Sequence, residues 1–113
     1  MSKQDYSKAK GREAENAVVN YLNQRGWRTA ERRRLTGAND RGDISGMEDL
    51  TIEVKAEKRI ALAGYMKELE AEMENTGDRY GVAVIKKRGT LDPAHWYAVM
   101  PFELFLDLYK ETT

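Results

Sequence analysis

The sequence predicts an α/β domain whose elements run in the order α-β-β-β-α-β-β-α, and three observations predict it. Apolar residues recur at helical spacing between Lys8 and Arg25, a period-two strand occupies Leu50 to Lys55, and an unbroken apolar run, Val82-Ala83-Val84-Ile85, follows a second helical stretch. With 113 residues and 41% hydrophobic content, the chain has the size of one domain with one core, so residues 1–113 are read as a single domain.

Residues 1–7 are polar and expected to fray. The first helix is expected from about Lys8 to Arg25, with Ala14, Ala17, Val18, Tyr21 and Leu22 forming its buried stripe and Gly26 its stop. Trp27 to about Arg33 reads as a strand. Thr36 to Gly42 is dense in turn formers and reads as a loop delivering the chain to a very short strand, Asp43-Ile44-Ser45, with a turn at Gly46 to Asp49. Along Leu50–Lys55, Leu50, Ile52 and Val54 face one side and Thr51, Glu53 and Lys55 the other. The second helix is expected over about Ala61–Asn75, with Leu62, Met66, Leu69 and Met73 on its apolar face. Tyr80–Lys87 reads as a strand buried on both faces, and a turn follows from Lys86 to Pro93. His95–Met100 is the last strand, and Pro101 opens a C-terminal helix, where its missing N–H costs nothing.

Composition narrows the chemistry. No run of about 18 apolar residues signals membrane insertion, and no apolar h-region behind a basic start signals secretion, so a cytosolic protein without disulfides is expected. The chain has no Cys and a single His, His95, so thiolate or His-based metal clusters within one chain are excluded and any metal is held by oxygen. Net charge is zero, from 19 basic and 19 acidic side chains, but the signs are segregated. Six Arg lie between Arg25 and Arg41 against two acids, and Lys3, Lys8, Lys10 and Arg12 add to the N-terminus. Glu68, Glu70, Glu72, Glu74 and Asp78 form a stretch without a basic residue, expected to stay in solvent. A basic face opposite an acidic one suits a phosphate backbone.

Residues two apart on a strand project from the same face, roughly 6.6 Å apart, so Glu53 and Lys55 point together. Such a pair alone is an ordinary surface ion pair. Asp43, ten positions earlier (53 − 43), leaves a Gly-rich loop beside the Glu53 strand, so two carboxylates and a lysine converge. Two acidic ligands with open positions for water and phosphate suit a hard divalent cation such as Mg²⁺. Such an ion polarises a phosphodiester and activates water, while Lys55 positions that water or neutralises charge gained in the transition state.

The pattern Gly42-Asp43 followed by Glu53-Val54-Lys55 resembles the PD-(D/E)XK signature of restriction-endonuclease-like nucleases. Lys10-Gly11-Arg12-Glu13-Ala14-Glu15, and Gly26-Trp27 leading into a strand and basic loop, resemble the archaeal-type Holliday junction resolvases and their viral relatives, over roughly residues 8–56. The resemblance implies a restriction-endonuclease-like mixed sheet of about five strands flanked by helices, with Mg²⁺ or Mn²⁺ bound at Asp43 and Glu53. It also implies a homodimer that nicks two strands of a four-way DNA junction in recombination and repair. The family carries a Glu four residues after a Gly in the first helix, which here is Glu15. On a helical wheel Glu13 and Glu15 flank the apolar stripe on opposite sides and either reaches a site beside the sheet, while Glu15 shares its flank with Gly11. The loop Leu35-Thr36-Gly37-Ala38-Asn39-Asp40 departs from the Ser-rich stretch usual in the archaeal enzymes, with Thr36 or Asn39 as substitutes, and Asp40 suits an Asx turn better than metal binding.

Lys10, Arg12, Arg32, Arg33, Arg34 and Arg41 are the candidate phosphate contacts, since Arg forks bind phosphate oxygens in pairs. His95 is read as a structural or surface residue, and Trp27, Trp96, Tyr97, Phe102 and Phe105 as core or dimer contacts. Two other readings stand beside the resolvase: a nuclease of this fold acting on duplex, nicked or single-stranded DNA, and a DNA-binding module of the fold without catalysis.

Overall fold

A computed structural model describes residues 3–34 and 39–113, and from Tyr6 on their side chains. Residues 1–2, and Leu35–Ala38 with the loop expected there, lie outside the described residues. Helix α1 (Lys3–Gln24) leads to β1 (Glu31–Arg32), β2 (Ile44–Ser45) and β3 (Leu50–Lys55). Helix α2 (Leu62–Thr76), β4 (Tyr80–Ile85), a 3₁₀ turn (Pro93–His95), β5 (Tyr97–Val99) and α3 (Phe102–Thr112) complete the chain. The expected element order is present. Helix α1 extends to Lys3 through a segment expected to fray, and the first strand is reduced to two residues.

The five strands lie side by side in chain order in one mixed sheet. β1–β2, β2–β3 and β4–β5 are antiparallel, while β3–β4 is parallel. A parallel pair needs a crossover, which α2 provides. Helix α1 covers one face, where Ala14 and Val18 pack with Ala30, Ile44, Ile52, Val54 and Trp96. Helix α2 covers the other. Thr51 to Val54 are therefore all buried, and the polar side of β3 is not a wet surface.

The buried stripe of α2 is Tyr65, Leu69 and Glu72, and Leu62 is exposed. Leu69 is buried and Met66 and Met73 half-buried as expected, but the buried face turns toward Tyr65 and Glu72, which removes Glu72 from the solvated acidic cluster. Gly81 leaves only enough room for Met73 and Leu69 against β4, since a Cβ there would stand 2.5 Å from the Met73 sulfur. The Tyr65 ring is anchored by its hydroxyl, which donates to the Arg59 carbonyl at 3.1 Å. Trp96 is buried, as a core role requires, whereas Trp27, Tyr97, Phe102 and Phe105 are exposed.

Candidate active site

The register of the short β2–β3 pair sets the site. Ile44 lies opposite Ile52, so one step outward Asp43 comes opposite Glu53, on the face shared with Lys55. Three hydrogen bonds to neighbouring backbone groups hold Asp43. Its N–H donates to the Ile52 carbonyl at 2.9 Å, its carbonyl accepts from Arg33 N–H at 2.9 Å, and its Oδ2 accepts from Val54 N–H at 2.7 Å. Gly42 makes this approach possible: its φ is +88°, and a Cβ there would stand 2.9 Å from the Ile52 oxygen.

Glu53 is buried with 4% exposure, within hydrogen-bonding reach of Asp43 on one side and Glu72 on the other. Lys55 Nζ bonds Glu68 at 2.7 Å, lies 3.8 Å from Glu57 and sits 5.0 Å above the Tyr65 ring. On α1, Glu15 accepts a hydrogen bond from Arg32 at 3.0 Å. Asp43, Glu53, Lys55, Glu15 and Glu13 all line one open cleft of about 1160 Å³. The cleft thus receives both candidate accessory acids, of which Glu15 is half-buried and Glu13 exposed.

Burial of the acids, reinforced by their crowding, governs the electrostatics. Burial, reinforced by a hydrogen bond to Glu53 and its charge, pushes Asp43 up to about 8. Burial likewise raises Glu53 to about 8 against the Asp43 hydrogen bond, and Glu72 to about 7. Burial and the Asp43 charge raise Glu15 despite Arg32. Burial alone would lower Lys55, but its bond to Glu68 and the nearby Glu53 carboxylate raise it, so it stays a cation. Both Glu72 carboxylate oxygens are buried and lack a hydrogen-bond donor among the described residues.

Comparisons with protein-family models, curated proteins and solved structures each return no match. Function must therefore be read from the residues themselves.

Of the basic residues singled out from sequence, Lys10 lines the cleft, whereas Arg12, Arg32, Arg33, Arg34 and Arg41 do not. Arg32 is engaged with Glu15, Arg33 leans its Nη2 toward the Ile44 carbonyl at 3.4 Å, and Arg12, Arg34 and Arg41 are exposed. The cations on the cleft rim are instead Lys58 and Arg59, after β3, and Lys86 and Arg88, after β4. Sequence reading passed over them because they sit in two separate turns, which become neighbours only because β3 and β4 run parallel and end together. Trp96 braces the second turn, donating its indole N–H to the Thr90 carbonyl at 3.0 Å beneath Lys86. Asp40 forms the expected Asx turn, accepting from Gly42 N–H at 2.9 Å. It also stands with Glu53 and Glu72 in a group in which one carboxylate oxygen from each lies within 4.8 Å of the others. His95 is exposed and outside the cleft. Among the described residues, no helix is long and apolar enough to cross a membrane.

Proposed function

We propose that this chain is a metal-dependent DNA endonuclease of the PD-(D/E)XK type that resolves branched DNA. One observation carries the reading: Asp43, Glu53, Lys55 and Glu15 line the same cleft as Lys10, Lys58, Arg59, Lys86 and Arg88. An acidic floor attracts a cation, and a basic rim attracts a polyanion. A phosphodiester backbone with its divalent ion satisfies both. The donor set fits the ion, since carboxylate oxygens from Asp43 and Glu53 with open positions around them are what Mg²⁺ or Mn²⁺ takes.

A bound ion would polarise the scissile phosphate and acidify the attacking water. The chain's own groups do the rest. The Val54 N–H fixes the Asp43 carboxylate. Lys55 stays protonated and, once its Glu68 contact yields to substrate, stabilises charge gained by the phosphoryl oxygens. Glu15, steadied by Arg32, orients the water. Rim cations align the strand. The four-way junction as substrate rests on the resemblance of the Lys10–Glu15 and Gly26–Trp27 segments. Two matched cuts across a junction call for two copies of the chain related by a two-fold axis.

The test is cleavage of an end-labelled four-way junction beside a linear duplex of the same sequence, with Mg²⁺ or EDTA. The expected result is paired, Mg²⁺-dependent cuts near the crossover that disappear in Asp43→Asn and Glu53→Gln. Lys55→Ala is expected to retain about 10⁻² to 10⁻³ of the rate. A Lys86→Ala/Arg88→Ala pair is expected to bind the junction more weakly and with a shallower salt dependence, by about one unit of log–log slope for each phosphate it no longer neutralises. Equal rates on duplex and junction assign the broader nuclease class, and full activity in Asp43→Asn rejects the site.

A further inference from the structure

The row of acids does not end at the proposed active site. Beyond Glu53, on the α2 side, lies Glu72, with 1% of its surface exposed and neither carboxylate oxygen meeting a donor among the described residues. A buried carboxylate is ordinarily hydrogen-bonded or paired. Lys55, on the strand that carries Glu53, is turned to Glu68 and Glu57 instead. What Glu72 meets is more acid, because one carboxylate oxygen each from Glu72, Glu53 and Asp40 lie within 4.8 Å of one another.

A proton shared between Glu53 and Glu72 would serve two of these carboxylates but leave Asp40 aimed at the same space. A divalent cation serves all three. The local backbone keeps the group together: Asn75 on α2 donates to the Asp40 carbonyl at 2.6 Å, tying the loop to the helix that carries Glu72. At Gly42 a Cβ would stand 3.4 Å from Glu72 Oε2, so the glycine lets the loop close over this carboxylate. Asp40 is exposed and gives the space a mouth to solvent.

We propose that Asp40, Glu53 and Glu72 form a second divalent-cation site, oxygen-only, sharing Glu53 with the Asp43–Glu53 pair. It takes a hard ion such as Mg²⁺ or Mn²⁺. The inference rests on the nuclease reading only in treating Asp43 and Glu53 as the first site. The bound ion neutralises Glu72, keeps Glu53 ionised and clamps α2 to the loop that presents Asp43.

The experiment counts Mn²⁺ ions on the full chain without DNA, by electron paramagnetic resonance titration at pH 8. The native chain is expected to bind two, Asp43→Asn to lose one, and Glu72→Gln to lose the other. Asp40→Asn should weaken that second ion about 10-fold or more. A folded Glu72→Gln binding both ions with native affinity overturns the proposal, as does a native chain whose single ion disappears in Asp43→Asn. Should Glu72→Gln fail to fold, Asp40→Asn decides, because its side chain lies in an exposed loop: unchanged binding there overturns the site. A chain that binds two ions in this pattern yet cuts no junction or duplex supports this site while rejecting the nuclease reading.

Discussion

At the scale of single residues, the feature that governs this protein is a run of carboxylates placed where water is scarce. Asp43, Glu53 and Glu72 lie in one row, with their affinities for protons raised to about 8, about 8 and about 7. An unfolded chain releases such protons near pH 4. Between those limits the folded protein holds protons that the unfolded one has lost, so raising the pH favours unfolding. In EDTA, the melting temperature is expected to fall as pH rises from about 5.5 to about 8.5. Saturating Mg²⁺ should reverse that fall, stabilising more at the alkaline end, where the ion no longer competes with protons. Glu72→Gln should flatten the decline, since it removes one member of the row. A melting temperature that climbs steadily through this window in EDTA would show that these acids are ionised in the folded chain.

At the scale of elements, the site depends on how the loop before β2 is seated against β3. Gly42 has a φ of +88° and no room for a Cβ beside the Ile52 oxygen and the Thr51 methyl. Gly42→Ala is therefore expected to cost about 1–3 kcal/mol in urea unfolding and to shift Asp43 away from Val54 N–H, reducing cleavage beyond what the stability loss explains. A variant within about 0.5 kcal/mol of native with full activity would show that Gly42 has no part in placing Asp43. Residues whose placement follows from strand geometry were readable in advance. The alternation of β3 and the Gly42-Asp43 turn place Asp43, Glu53 and Lys55 together without any knowledge of the helices. Glu72 was not readable as buried, because hydrophobic periodicity favoured the stripe Leu62, Met66, Leu69 and Met73. The available clue was that Tyr65, Leu69, Glu72 and Thr76 also fall at helical spacing, an acid within an otherwise packable face. The rim cations after β3 and β4 depend on strand pairing, which a local pattern does not contain.

At the scale of the whole molecule, α1 and α2 cover the faces of the sheet, while α3 is left with its apolar side uncovered. Helix α3 has no buried residue, and Phe102 is 73% exposed. Phe102, Phe105 and Tyr109 stack along it with ring centroids 6.4 and 6.3 Å apart, beside exposed Leu106. An apolar row of this kind, standing in water, marks a contact surface. A second copy of this chain is the occupant that fits the proposed activity, because a two-fold interface sets a patch against itself and supplies two clefts for two cuts. Acidic Glu103, Asp107 and Glu111 interrupt the same helix, with Lys110 as its cation, so a self-contact along the aromatic row must leave those acids at its polar rim. Sedimentation at micromolar concentration is expected to give a dimer, and Phe102→Asp/Phe105→Asp a monomer with an unaltered circular dichroism spectrum. Since α3 contributes nothing to the cleft lining, that monomer should keep Mn²⁺ binding and single-strand nicking while losing paired cuts on a junction. A native chain that sediments as a monomer yet makes paired cuts would place the two-fold contact on the DNA, with α3 left to another role.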